Sequence, residues 1–194
     1  DSKAMKYYAL SANSANAKAA AQFNYALMLK DYYYKHEHHE NPAEELSFAS
    51  LIETSSISSN TEITLDENPT KNTRAVIKNN LTLATKYFRA AAKQGDAEAM
   101  NNYGLMLMKG EGMPKNLEEA ERYFRMASDL GNSFAQNNLG MLIKKTDPEA
   151  SKRLFYLSAS QNNVSGMNNY GLMLMKSEKL EDRIEALSWF KASA

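Results

Sequence analysis

"MNNYGLMLMK" runs from Met100 to Lys109 and returns, letter for letter, from Met167 to Lys176. A ten-residue identity within one chain marks a duplicated structural unit, so internal periodicity is the first property to read. With Tyr103-Gly104 as anchor, an aromatic or leucine followed by a small residue inside an apolar run recurs at Tyr25-Ala26, Leu139-Gly140 and Tyr170-Gly171. A second pattern alternates with the first. It is a small residue, then a bulky pair, then two more small residues, as in Ala84, Tyr87-Phe88, Ala91-Ala92 and in Ala120, Tyr123-Phe124, Ala127-Ser128. Related copies begin at Ala4, Ser151 and Ala186. The anchors Gly104, Gly140 and Gly171 lie 36 and 31 residues apart, a spacing that fits two helices and two turns per unit. A unit of that size cannot bury its faces alone and must stack on its neighbours.

The fullest unit, "AEAMNNYGLMLMKGEGMPKNLEEAERYFRMASDLGN" from Ala97 to Asn132, has Ala97, Ala99, Tyr103-Gly104, Gly110, Gly112-Met113, Ala120, Tyr123, Ala127 and Gly131-Asn132 at set spacing. In these residues the chain resembles the Sel-one-like repeat, a relative of the tetratricopeptide repeat. The resemblance covers about three quarters of the sequence, everything but a central insertion. It implies an all-α fold, a right-handed superhelical solenoid of antiparallel helix pairs with one long loop insertion. It also implies work as a scaffold or adaptor for partner proteins, in assembling signalling complexes or, in lumenal members, in substrate handling by membrane ubiquitin ligases. Two turns depart from the pattern: Lys144 to Pro148 lacks glycine, and Ser177-Glu178-Lys179 stands where Gly110-Glu111-Gly112 would. Those turns are expected to be shaped differently.

The bulk composition narrows the function classes. With 23 basic and 23 acidic side chains the net charge is zero, which gives no field for nucleic acid or an anionic membrane. The absence of cysteine excludes disulfides, thiolate metal sites and cysteine nucleophiles, and fits a cytoplasmic setting. Two sequons, at Asn80 and Asn163, keep the secretory compartment as the alternative. No apolar run approaches the length of a membrane span. The expected organisation is a first repeat part over residues 1–34, an acidic insertion over 35–80, and continuing repeats over 81–194, all one solenoid and a piece of a longer array with further repeats or domains. Residues 31–80 carry 9 acidic and 4 basic side chains, so an acidic loop sits on a basic solenoid. Asn41-Pro42 opens a possible short amphipathic helix there, and Ser55 to Thr73 reads as flexible.

A glycine in a helix interior costs roughly 1 kcal/mol against alanine. Its return at Gly104, Gly140 and Gly171 therefore implies a neighbouring helix pressed close at that point. On a helical wheel, Tyr103, Gly104, Leu107 and Met108 face neighbours, while Glu98, Asn101, Asn102, Leu105 and Lys109 lie on the other arc. The methionines read as core.

Asparagine precedes the anchor in every copy, at Asn24, Asn102, Asn138 and Asn169. If the first helices line the concave surface, these amides can hold an extended peptide by its backbone, since each offers a donor and an acceptor; equally, each can cap or bridge the turns of its own repeat by bonding to backbone. Leu105, Met141 and Leu172 supply an apolar floor beside them. Lys109, Lys145 and Lys176 supply a basic edge or simply complement helix dipoles. The ligand expected is a protein or peptide with some acidic character. A structural spacer, or a regulatory arm of an enzyme lying outside this segment, is the alternative. The chain is not expected to be an enzyme. Ser188 to Lys191 reads S-x-x-K but crosses a packing-helix signature without its partner motifs. No cofactor is implied, and His36, His38 and His39 lack an organised fourth metal ligand.

Overall fold

The computed structural model describes residues 2–14, 17–36 and 69–194, and among them every regular element is an α-helix. In chain order these are α1 (Ser2–Asn13), α2 (Ala19–His36), α3 (Pro69–Lys93), α4 (Ala97–Lys109), α5 (Leu117–Asp129), α6 (Ser133–Ile143), α7 (Pro148–Ser160), α8 (Val164–Leu174) and α9 (Leu180–Ser193). The expected all-α helical-repeat fold is what forms. Two compact units divide α4 between them: residues 1–99 with 109–115, and residues 100–108 with 116–194. In the first, α1 packs on α2 and α2 on α3. In the second, α5 to α9 each pack on the next, and α6 also meets α8.

Short polar signals place the helices. Each first helix from α4 onward opens on an Asx cap: the Oδ1 of Asp96, Asn132 and Asn163 accepts from the backbone N–H of Ala99, Ala135 and Gly166 at 2.8, 2.9 and 3.0 Å. The residue before each cap, Gly95, Gly131 or Asn162, turns the chain through a left-handed φ of 91, 85 or 61°. Two second helices, α5 and α7, use the same device, with Asn116 accepting from Glu119 and Asp147 from Ala150, whereas α9 follows Lys179 without a side-chain cap.

Asn80 stands in the register of Asn116 and Asp147, yet α3 begins at Pro69. The would-be cap is therefore an interior residue, 1% exposed, and its Nδ2 has no hydrogen-bond partner among the described residues. Residues 69–80, expected within the insertion, and with them the end of the stretch read as flexible, belong to a helix. His36 likewise closes α2. The short helix expected from Asn41, the histidines His38 and His39 and most of the acidic loop lie outside the described residues.

The anchor glycines mark close approach, as expected, and the neighbour is the aromatic ring of the repeat's own second helix. A Cβ at Gly104, Gly140 or Gly171 would lie 2.7, 2.8 or 2.7 Å from Cε1 of Phe124, Phe155 or Phe190. Beside it, the anchor aromatic meets the ring preceding that phenylalanine edge-on, at 4.9 Å for Tyr25 and Tyr87 and 4.7 Å for Tyr103 and Tyr123. The glycine-free third turn is indeed built differently: Ile143 O accepts from both Thr146 N and Asp147 N, and Lys144 stays right-handed.

Candidate functional site

Because every first helix starts from an Asx cap, residues at a fixed offset from it fall in equivalent places. Asn101, Asn137 and Asn168 come fifth after Asp96, Asn132 and Asn163; Asn102, Asn138 and Asn169 come sixth. In the unit of residues 100–108 and 116–194 these rows are hydrogen-bonded across helices. Asn138 Nδ2 donates to Asn101 Oδ1 at 2.8 Å, and Asn169 Nδ2 donates to Asn137 Oδ1 at 2.7 Å. The second asparagine of one repeat thus grips the first asparagine of the repeat before it. In α8 the corresponding acceptor, Asn168 Oδ1, takes the hydroxyl of Ser193 at 2.8 Å.

Asn101 was placed on the outer arc by the wheel, but it is 6% exposed, as is Asn137. The reason lies in the next repeat, which supplies the amide that covers each of them. Sequence reasoning passed over these two acceptors. The doubled asparagine in three of the copies was the signal that could have found them.

The expected site residues separate into groups. Asn138, Asn169 and Asn102 are half-buried on α6, α8 and α4, and Leu105 is half-buried too. Met141 and Leu172 stand 58% and 50% exposed, three residues beyond Asn138 and Asn169 and on the same faces. Phe134, 63% exposed, precedes Asn138 by one turn and extends that column. Lys145 and Lys176 are exposed just beyond the ends of α6 and α8, helices that carry no acidic side chain. Asn24 and Lys109 belong to the other unit, where Asn24 is exposed on α2.

Lys109 has a different setting from Lys145 and Lys176. Its Nζ lies 3.4 Å from Glu111 Oε1, while Glu111 Oε2 accepts from the Tyr34 hydroxyl at 2.6 Å. Lys30 of α2 shares this neighbourhood. Burial first, then the charge of Lys109, holds its ammonium below the usual lysine range against the opposing pull of Asp31 and Glu111. Lys109 is thus tied into a local charge cluster.

The remaining polar candidates resolve as structure. Asn163, a sequon asparagine, is buried and caps α8, and the other sequon asparagine is the interior Asn80. Ser188 donates to Glu185 O at 2.6 Å within its own helix.

The repeat-by-repeat correspondence can be set against known proteins. The family model of the Sel1 repeat matches residues 1–16, 74–96, 97–132, 133–163 and 164–194. The chain belongs to the Sel1 repeat family. Among solved structures, a Sel1 repeat protein from Oxalobacter formigenes is similar over 91% of this chain and 70% of its own, with a TM-score of 0.54 and 21% identity. A protective antigen, c5321, present in uropathogenic Escherichia coli strains and displaying an SLR fold, is similar over the whole chain, with a TM-score of 0.54 and 17% identity; the chain spans 40% of that protein's length. No curated protein matches the chain. At these identities the neighbours speak for the fold. The Sel1 repeat solenoid is in general a non-catalytic scaffold for protein–protein interaction.

Proposed function

We propose that this Sel1 repeat array is an adaptor that holds a segment of a partner protein on the faces of its first helices. Met141 and Leu172 form the apolar floor, and Leu105 continues it. The amides of Asn138 and Asn169, with Asn102 at the corresponding position, contact the partner's backbone. Lys145 and Lys176 favour a segment with acidic residues.

The observation that carries this reading is the exposure of Met141 and Leu172 beside paired amides on two helices free of acidic side chains. Exposed apolar side chains recurring at one position in successive repeats form a patch, and patches of this kind are where soluble proteins bind others. The amide pairs do not exhaust the asparagines. After one N–H is donated, each side chain keeps a second N–H and its own carbonyl oxygen, the two groups that a peptide unit complements.

The test is capture of partners from the native cell extract by the immobilised chain, in parallel with Met141→Glu/Leu172→Glu and Lys145→Glu/Lys176→Glu. All four positions are exposed, so the variants are expected to melt within a degree or two of the parent. Both should lose proteins that the parent captures. An unchanged set of captured proteins would refute the face, and an empty set with the parent itself would favour a spacer.

A further inference from the structure

Away from these faces, three aromatic rings meet where α7, α8 and α9 pack together. Tyr170 of α8 lies 5.3 Å from Tyr156 of α7 and 5.7 Å from Trp189 of α9, centroid to centroid, and Tyr156 and Trp189 are 6.5 Å apart. The rings stand at 59, 82 and 85° to one another, so they form a corner. Tyr170 is buried within it, Trp189 is half-buried, and Tyr156 is 47% exposed.

Part of this corner is the repeat's own packing, since the Tyr170–Trp189 pair occupies the place of Tyr25–Tyr87 and Tyr103–Tyr123. Tyr156 is different. The position after the phenylalanine of the second helix is held by Arg89 in α3, Arg125 in α5 and Lys191 in α9, and it is exposed in all three. The fold does not require an aromatic ring there.

The corner also carries uncompensated negative charge. Glu185 Oε1 accepts from Trp189 Nε1 at 3.1 Å. Burial first, then the charge of Glu185, with Tyr156 and Asp182 adding, pushes the Tyr170 hydroxyl up from its ordinary range. Neither Glu185 nor Asp182 has an ion-pair partner among the described residues. Aromatic faces attract cations through the ring quadrupole, most strongly in tryptophan, and carboxylates reinforce that attraction.

We infer that Tyr156, Trp189 and Glu185 form a docking spot for an arginine side chain of a partner protein. The ring geometry selects the kind of cation. With centroids 5.3–6.5 Å apart and the rings in edge contact, no hollow between them admits a tetrahedral methylated ammonium. A planar guanidinium needs none: it stacks on an outward ring face and turns its fork of N–H donors to a carboxylate. Asp182 adds to the negative potential. This site is independent of the apolar faces of α6 and α8.

Trp189 is the only tryptophan in the chain, so its emission reports on the corner alone. N-acetyl-arginine amide, titrated into the protein at low ionic strength, should change that emission saturably with a millimolar midpoint. N-acetyl-citrulline amide, of the same shape without the charge, should give no saturable change, and tetramethylammonium should bind at least about threefold more weakly than arginine. Glu185→Gln should raise the arginine midpoint about fivefold or more. Tyr156→Arg, which installs the residue type of the neighbouring repeats and so preserves the fold, should abolish the response with an unchanged far-ultraviolet spectrum. Equal responses to arginine and citrulline, a retained response in folded Tyr156→Arg, or tighter binding of tetramethylammonium would each overturn the inference.

Discussion

Replacing Asn138 by alanine removes the only side-chain donor to Asn101 Oδ1 among the described residues, an acceptor on a side chain 6% exposed. A buried acceptor left unsatisfied costs about 1–3 kcal/mol, more than the net worth of the hydrogen bond itself. In a chain of this size 1 kcal/mol corresponds to about 2–4 °C, so Asn138→Ala is expected to lower the melting temperature by about 2–12 °C. Asn169→Ala should act similarly through Asn137, whose Oδ1 it leaves without a donor. The pair is isolated by a double-mutant cycle in urea, with Asn101→Ala, Asn138→Ala and both together, followed by circular dichroism and by Trp189 emission. Removing Asn101 first removes the acceptor that would be stranded, so the double variant should be more stable than the summed single losses predict, by about 1 kcal/mol. Strict additivity, or a single Asn138→Ala loss below about 0.5 kcal/mol, would show that the amides are not paired in solution.

Gly140→Ala gains about 1 kcal/mol of helix propensity but sets a methyl group 2.8 Å from Cε1 of Phe155, an overpacking that costs about 1–3 kcal/mol. The expected net loss by urea denaturation should shrink when Phe155→Leu is added. Burial and the neighbouring Tyr25 push the Tyr87 hydroxyl up to about 12, against the opposing hydrogen bond from Tyr87 to Asn13. The folded state then holds this proton more tightly than the unfolded chain, so the contribution is intact below pH 10 and fades towards about pH 12. It amounts to about 3 kcal/mol at most, and Tyr87→Phe should flatten that part of the alkaline stability curve. Asn162 turns through a φ of 61°, the conformation that Gly95 and Gly131 supply elsewhere. Asn162→Gly should therefore stabilise by a few tenths of a kcal/mol to about 1 kcal/mol, read as a rise in melting temperature.

What the sequence disclosed and what it withheld divide along physical lines. Gly104 and its counterparts were readable because a helix glycine carries a local penalty, and a penalty repeated at one spacing demands a contact. The burial of Asn101 was not readable, since a helical wheel shows one helix and the residue is covered by an amide 37 positions later. Asn80 gives the same lesson for boundaries. An identical cap residue opens α5 at Asn116 and lies inside α3 at Asn80, because a cap only offers a start and the preceding segment decides whether the helix already runs. The apolar faces around Met141 and Leu172 were legible from spacing. The Tyr156 corner was not, as its rings come from three helices.

The amide pairs also behave as a keyed joint. The α6 repeat presents one buried acceptor forward, Asn137, and one donor backward, Asn138, so a repeat that carries both can be spliced between two others with its angular and axial placement already prescribed. A repeat with leucine at either position would still be driven to stack by its apolar surface, but nothing polar would penalise sliding along its neighbour. Hydrophobic burial supplies the cohesion between these modules, while an asparagine-to-asparagine hydrogen bond 2.7–2.8 Å long, from α6 to α4 and from α8 to α6, supplies the alignment.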